Sequence, residues 1–283
     1  MADRPDKPDI IFISAAALRW DALGCFGKAQ GPTPKLDLLA ERSTVFERHF
    51  TTCPLGVPAR SSWLTGLPPH RHGASISGWL AAERDHGKVN PKLPLLTDRL
   101  ADAGYHVLHA GVQQARVTPA LHERGNVEVL GPTHVGQHYH EITERGLLIG
   151  DTSYFKDPCF EFHDGQPFLS PATNARTGVF PLREDLWYDR VIAERAINRI
   201  DQLAAENSKQ PLALLCNFWL PHAPLWAPQE HAQMIHPDEI KLPKTVGRWY
   251  PGMPINHLLN VCGQLGAHLD EAAWREAWAV YAG

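Results

Sequence analysis

Short, wholly apolar runs alternate along this chain with longer stretches in which apolar residues recur every three or four positions. "DIIFIS", residues 9–14, is a run of the first kind after a proline-broken lead-in, the pattern of a central strand buried on both faces. A polar loop holding "GCFGKAQGPT" leads to "PKLDLLAERS", where the initial proline and the stripe of Leu36, Leu38 and Leu39 predict a helix. "VFERHFTT" reads as a second strand, "PARSSWLTG" as a helix closed by Gly66, "LPLLTDRLADAG" as a helix closed by Gly104, and "YHVLHAG" as a further strand. This alternation predicts a three-layer α/β/α fold with a mostly parallel central sheet.

Residues 115–185, rich in Gly, Pro and His, break the rhythm and are expected to form long excursions over the carboxyl edge of the sheet. "YDRVIAERAINRIDQLAAE" restores it as an amphipathic helix with Val191, Ile192, Ala196, Ile197 and Ile200 on one side, and "PLALLCNFWL" follows as a buried strand. That strand delivers "PHAP" at its carboxyl end, where open α/β sheets gather ligands and catalytic groups, so His222 is a candidate site residue. The last segment, "LDEAAWREAWAVYAG", predicts a helix capped by Asp270 with Trp274, Trp278 and Tyr281 on one face. No repeat, low-complexity tract or linker interrupts residues 1–283, and a single domain is expected.

Composition changes this picture mainly by exclusion. A hydrophobic content of 43% over 283 residues is ample for a buried core. A net charge of -4 with mixed signs and no basic run gives nucleic acid or an anionic membrane nothing to hold. The polar start "MADRPDKPD" lacks a signal peptide's apolar stretch and no run reaches membrane-spanning length, so a cytoplasmic location is expected. Cys25, Cys53, Cys159, Cys216 and Cys262 are scattered without CxxC pairing, implying neither a disulfide framework nor a zinc knuckle. The 16 histidines include two i, i+2 pairs, His70 with His72 and His138 with His140. On strands each pair would present both rings on one face, fit for a metal; the alternative is polar surface or satisfied loop histidines.

Four stretches taken together resemble the sulfatase family of the alkaline-phosphatase superfamily: "DIIFISAAALRWDALGCFG", "TPKLDLLAERSTVFERHFTTCPLGVPARSSWLTGLPPHRHG", "LTDRLADAGYHVLHAG" and "RAINRIDQLAAENSKQPLALLCNFWLPHAPLWAP". They occur in the family's order. The resemblance implies a Cys or Ser at the head of a Cys-x-Pro-x-Arg segment, oxidised to formylglycine, whose hydrate attacks sulfur beside a carboxylate-bound divalent metal. In "GVPAR" the proline and arginine are present as Pro58 and Arg60, while Gly56 stands at the nucleophile position. Cys53, three residues early and followed by Leu55 and Val57, lacks the required neighbours and reads as a packed thiol.

The two metal-ligating positions at the end of the first strand are Ala16 and Ala17, and Asp21 takes a structural role. Where the family places the lysine and histidine of Gly-Lys-Trp-His, this chain has Gly111, Val112, Gln113 and Gln114. His222 in "LPHAP" and Arg60 match the family's substrate-contacting positions. The resemblance also implies further strands with a second metal pair after the final helix; relative to the family the chain reads as truncated.

These departures support three readings. The first is a catalytically silent sulfatase-like protein that needs no cofactor and binds a sulfate- or phosphate-like anion near Arg60 and His222. Arg60 and the helix amino terminus beside it suit an anion, although helix capping by Pro58 and pairing of Arg60 with a local acid would explain them equally. The second is an active sulfate, phosphate or phosphonate ester hydrolase that holds calcium or magnesium through other ligands, the histidines among them, or through a partner chain. The third is a protein-binding subunit whose carboxyl-terminal helix, with exposed Trp274 and Trp278, docks on a partner chain or a second copy.

Overall fold

Eight strands and eight α-helices are assigned in the computed structural model, which describes residues 7–77, 86–146, 156–163, 166–173, 177–246, 248, 251–253, 266 and 269–283. The strands are β1 (Ile10–Ala15), β2 (His106–Gly111), β3 (Glu128–Leu130), β4 (Lys156–His163), β5 (Gln166–Thr173), β6 (Thr177–Val179), β7 (Leu212–Phe218) and β8 (Leu225–Ala227). The helices are α1 (Pro34–Ala40), α2 (Gly56–Thr65), α3 (Pro69–His72), α4 (Leu96–Asp102), α5 (Val135–Glu144), α6 (Tyr188–Ala205), α7 (Gln229–Ala232) and α8 (Glu271–Ala282). They fall into two compact units, one of Met1–Ala16, Arg48–Arg145 and Tyr188–Trp219, the other of Ala17–Glu47, Gly146–Trp187 and Leu220–Gly283.

The first unit holds the central sheet, in the order β1-β7-β2-β3 with every neighbouring pair parallel, as the alternation of strand and helix predicts. β7 and β2 take the inner positions and are buried almost throughout. Helices α4 and α6 pack on β2. Val57 and Leu64 of α2 join Leu95, Val107, Ala213 and Leu215 in one core cluster, which fixes the helix that carries Arg60. Glycines close two helices as expected: Gly66 and Gly104 have φ of 70° and 89° in the left-handed region, which a residue without Cβ adopts freely.

Three expectations are corrected. Strand β1 lies at the sheet edge rather than at its centre, with Ile11 and Ile13 57% and 64% exposed while Phe12, on the opposite face, meets Trp63 edge-on at 5.3 Å. The apolar run alone cannot distinguish these cases, because a strand buried on one face and one buried on both have the same composition. "VFERHFTT" forms no strand: Val45, Phe46 and Phe50 are exposed, and the alternation gains no burial. The paired histidines lie on helices α3 and α5, where i, i+2 residues diverge instead of sharing a face.

In the second unit β6 and β8 pair in parallel and α8 packs on both. The Asp270 side chain caps α8 by accepting from Ala273 N at 2.8 Å. Trp274 and Trp278 are half-buried rather than exposed, and the Arg19 guanidinium lies 5.2 Å over the Trp278 ring. β4 and β5 form an antiparallel hairpin within the region expected to be irregular. Among the described residues no helix is long and apolar enough to cross a membrane.

Burial determines the charge state of the interior histidines. His72 is fully buried; Ala74 N donates to its Nδ1 at 3.1 Å, so the neutral ring carries its proton on Nε2. Burial lowers its pKa, and lowers that of His109 to about 4, with the charge of Arg60 adding to the effect. Two outcomes follow. Between about pH 6.5 and pH 4 the unfolded chain takes up a proton on His109 that the native chain refuses, so stability should fall with acidification by up to about 3 kcal/mol and level off below. Denaturant midpoints across this range check it, and His109→Gln should flatten the slope. Leu108→Ala, on buried β2, should cost about 2–5 kcal/mol, whereas Ile13→Ala on exposed β1 should cost less than about 1 kcal/mol. Equal losses in the two variants would contradict the assigned edge position of β1.

Candidate functional site

Parallel strands bring their carboxyl ends to one edge, and in the first unit Ser14, Asn217 and Gly111 stand there in register. Ser14 Oγ donates to Asn217 Oδ1 at 2.6 Å, and Asn217 Nδ2 lies 3.1 Å from His109 Nε2. With Nε2 accepting, neutral His109 carries its proton on Nδ1, and that buried atom has no hydrogen-bond partner among the described residues. Gly111 is required where it stands. Its φ is 83°, and a Cβ there would come within 2.1 Å of the Asn217 backbone oxygen.

Helix α2 begins at Gly56, and its N-cap residue Leu55 supplies no side-chain acceptor to the first turn. Arg60 follows one turn later and is only 6% exposed. Its Nη1 donates to Gln114 Oε1 at 2.7 Å, and its guanidinium carbon lies 5.5 Å from the Trp63 ring centre. Nε is buried and unbonded, and no carboxylate among the described residues pairs with this arginine. Loss of water pushes its pKa down. The local acid allowed by the sequence is therefore not what holds Arg60.

The same glutamine explains Gly56. A Cβ built at Gly56 would sit 2.1 Å from Gln114 Oε1 and 3.3 Å from Arg60 Nη1. The space a side chain at position 56 would enter is filled by the end of Gln114. Sequence reading notes Gln114 only as a missing basic group. The available signal was the joint change, a side chain deleted at one position and a long amide gained at another. His109 and Asn217 were missed as well, although a polar residue inside each of the runs "YHVLHAG" and "LALLCNF" marks them.

The other sequence-predicted positions are distributed between the units. Gly56, Arg60 and Ala16 belong to the first, and Ala17 and His222 to the second. Ala16 is buried, and its N donates to Phe218 O at 3.2 Å. Ala17 has φ of 61°, a left-handed conformation unusual for alanine, and its carbonyl accepts from the Tyr281 hydroxyl at 3.0 Å. Asp21 pairs with Arg19 at 2.7 Å, in keeping with a structural role. His222 is half-buried, with Nδ1 2.7 Å from Ala223 O, so that its neutral ring presents Nε2 as the acceptor.

Ser62 and His72 approach to 3.1 Å, but this is no nucleophile and base: the Nε2 facing Ser62 already carries the proton. The donor set for a metal does not fit either. Ala16 and Ala17, at the positions where the family resemblance implies metal ligands, carry no side-chain oxygen, and among the described residues no group of three or more His, Cys, Asp or Glu could hold an ion.

The family model of the sulfatases matches residues 8–239. An arylsulfatase of Klebsiella aerogenes is 26% identical over 233 residues, covering 81% of this chain and 46% of that protein. A sulfatase of Formosa agariphila is 25% identical over 242 residues, covering 84% of this chain and 44% of that one. Among solved structures, a phosphonate monoester hydrolase from Silicibacter pomeroyi superposes with a TM-score of 0.66 at 19% identity, over 98% of this chain and 56% of its own, a likeness of fold. The chain thus spans about half the length of these relatives. The match over residues 8–239, with the parallel sheet and the Pro58–Arg60 helix in place, makes this chain a member of the sulfatase family.

Proposed function

We propose that this chain hydrolyses no ester and instead holds a tetrahedral oxyanion of the sulfate or phosphate kind at Arg60. One observation carries the reading: the side-chain space at Gly56, where the family resemblance puts the nucleophile, is taken by Gln114 Oε1. Glycine offers no atom to oxidise or to attack with. Ala16 and Ala17 offer no side-chain oxygen to a calcium or magnesium ion.

The anion half of the reading rests on Arg60. A buried guanidinium without a carboxylate, beside an uncapped helix amino terminus, lacks a negative partner that a sulfate or phosphate oxygen would provide. The alternative of a hydrolase built on the surplus histidines gains no support from His72 and His138, both buried, with His138 edge-on to Tyr188 at 5.6 Å.

Turnover assays on aryl sulfates, phosphate monoesters and phosphonate monoesters, each with calcium, magnesium, manganese or zinc added, should show no rate above buffer. Gly56→Cys should show none either, because Ala16 and Ala17 still offer no side-chain oxygen to a metal. Sulfate should raise the melting temperature of the native chain, and Arg60→Gln should remove that rise. Ester turnover by the native chain that Arg60→Gln abolishes would overturn the proposal.

A further inference from the structure

We infer that the Gln114 side chain is an internal ligand of the Arg60 site, a carboxamide that must swing out before a tetrahedral oxyanion can enter. The inference rests on the reading of Arg60 as an anion site. It adds the residue that sets the affinity of that site.

The amide oxygen already occupies an anion's place. It lies 2.7 Å from Arg60 Nη1, the distance of a charge-assisted bond to an oxyanion. As a neutral acceptor, however, it leaves the arginine charge uncompensated and Arg60 Nε without a partner. His109 Nδ1, also unbonded and buried, lies within electrostatic reach of the same guanidinium. A carboxamide oxygen can accept twice but carries no charge, whereas a tetrahedral oxyanion brings several oxygens and the missing charge.

The segment around Gln114 is built for a side-chain motion rather than a loop motion. Val112 N donates to Asn217 O and Gln113 N to Thr133 O, both at 2.9 Å, and Ala115 is buried in the core cluster. The backbone is therefore held on both sides of a half-buried residue whose side chain has three rotatable bonds. Gly56 is the other half of the device. Because its absent Cβ leaves the room that Oε1 fills, a side chain at position 56 and Gln114 in this rotamer exclude each other.

Two substitutions should thus act in the same direction by independent routes. Gln114→Ala deletes the internal ligand, and Gly56→Ala pushes its flexible end away. Gln114→Glu should act in the opposite direction, replacing the amide by a carboxylate that pairs permanently with Arg60.

The test is calorimetric titration of the full chain with sodium sulfate and, separately, sodium phosphate, against sodium chloride at matched ionic strength. Gln114→Ala is expected to bind sulfate at least about tenfold more tightly than the native chain, Gly56→Ala to show a gain of the same sign, and Gln114→Glu to lose binding while melting at a higher temperature. Arg60→Gln combined with Gln114→Ala should abolish the gain. If Gln114→Ala and Gly56→Ala bind no more tightly than the native chain, while Arg60→Gln still removes binding, the internal-ligand inference is wrong and the anion site stands. If neither the native chain nor either alanine variant binds sulfate or phosphate above the chloride control, the anion reading fails and takes this inference with it.

Discussion

Withdrawing a guanidinium from water costs several kcal/mol unless its donors are met, and in this chain Arg60 is withdrawn without a carboxylate to meet them. Much of the geometry at the sheet's carboxyl edge follows from that constraint. Helix α2 is fixed by Val57 and Leu64 in the core, so the arginine has no route back to solvent by displacement of its helix. The Trp63 face and one amide oxygen are what it receives. An amide satisfies a hydrogen bond but leaves the charge uncompensated.

The same constraint reaches the neighbouring strands. A second positive charge beside Arg60 would repel it, and the low pKa of His109 keeps that ring neutral at physiological pH. Neutrality lets Nε2 accept from Asn217, which in turn accepts from Ser14, so a chain of polar contacts runs through β2, β7 and β1 near the carboxyl edge of the sheet. Apolar strands tolerate these residues because most of their polar atoms are paired within the register.

Much of the first unit was legible in the sequence. The apolar runs located β1, β2 and β7, and glycine at 66 and 104 located the ends of two helices, because periodicity and left-handed caps are local properties. What was not legible is relational. Whether Ile11 and Ile13 face a helix or solvent depends on what lies beside β1, which no window of β1 records. The strand expected at "VFERHFTT" fails for the same reason, since alternation stabilises a strand only when a sheet face receives it. At the site, Gly56, Arg60 and the two alanines could be read individually, but the filling of one position by a residue 58 places later could not.

That relation changes what the loss of a nucleophile means. A glycine at a reactive position could be a single substitution, reversible by a single return. Here the amide of Gln114 occupies the vacated space and serves the arginine that would otherwise be unsatisfied, so the two changes support each other. A side chain at Gly56 would displace the partner of a buried cation, and removal of Gln114 alone would leave that cation without its acceptor. Each residue makes the other's return costly. Ala16 and Ala17 are chemically separate from this pair, since their methyl side chains offer no oxygen whatever happens around Arg60. Within a fold matched over residues 8–239, Gly56, Gln114 and Arg60 are thus fitted to one another, and a change at any one of them is felt at the other two.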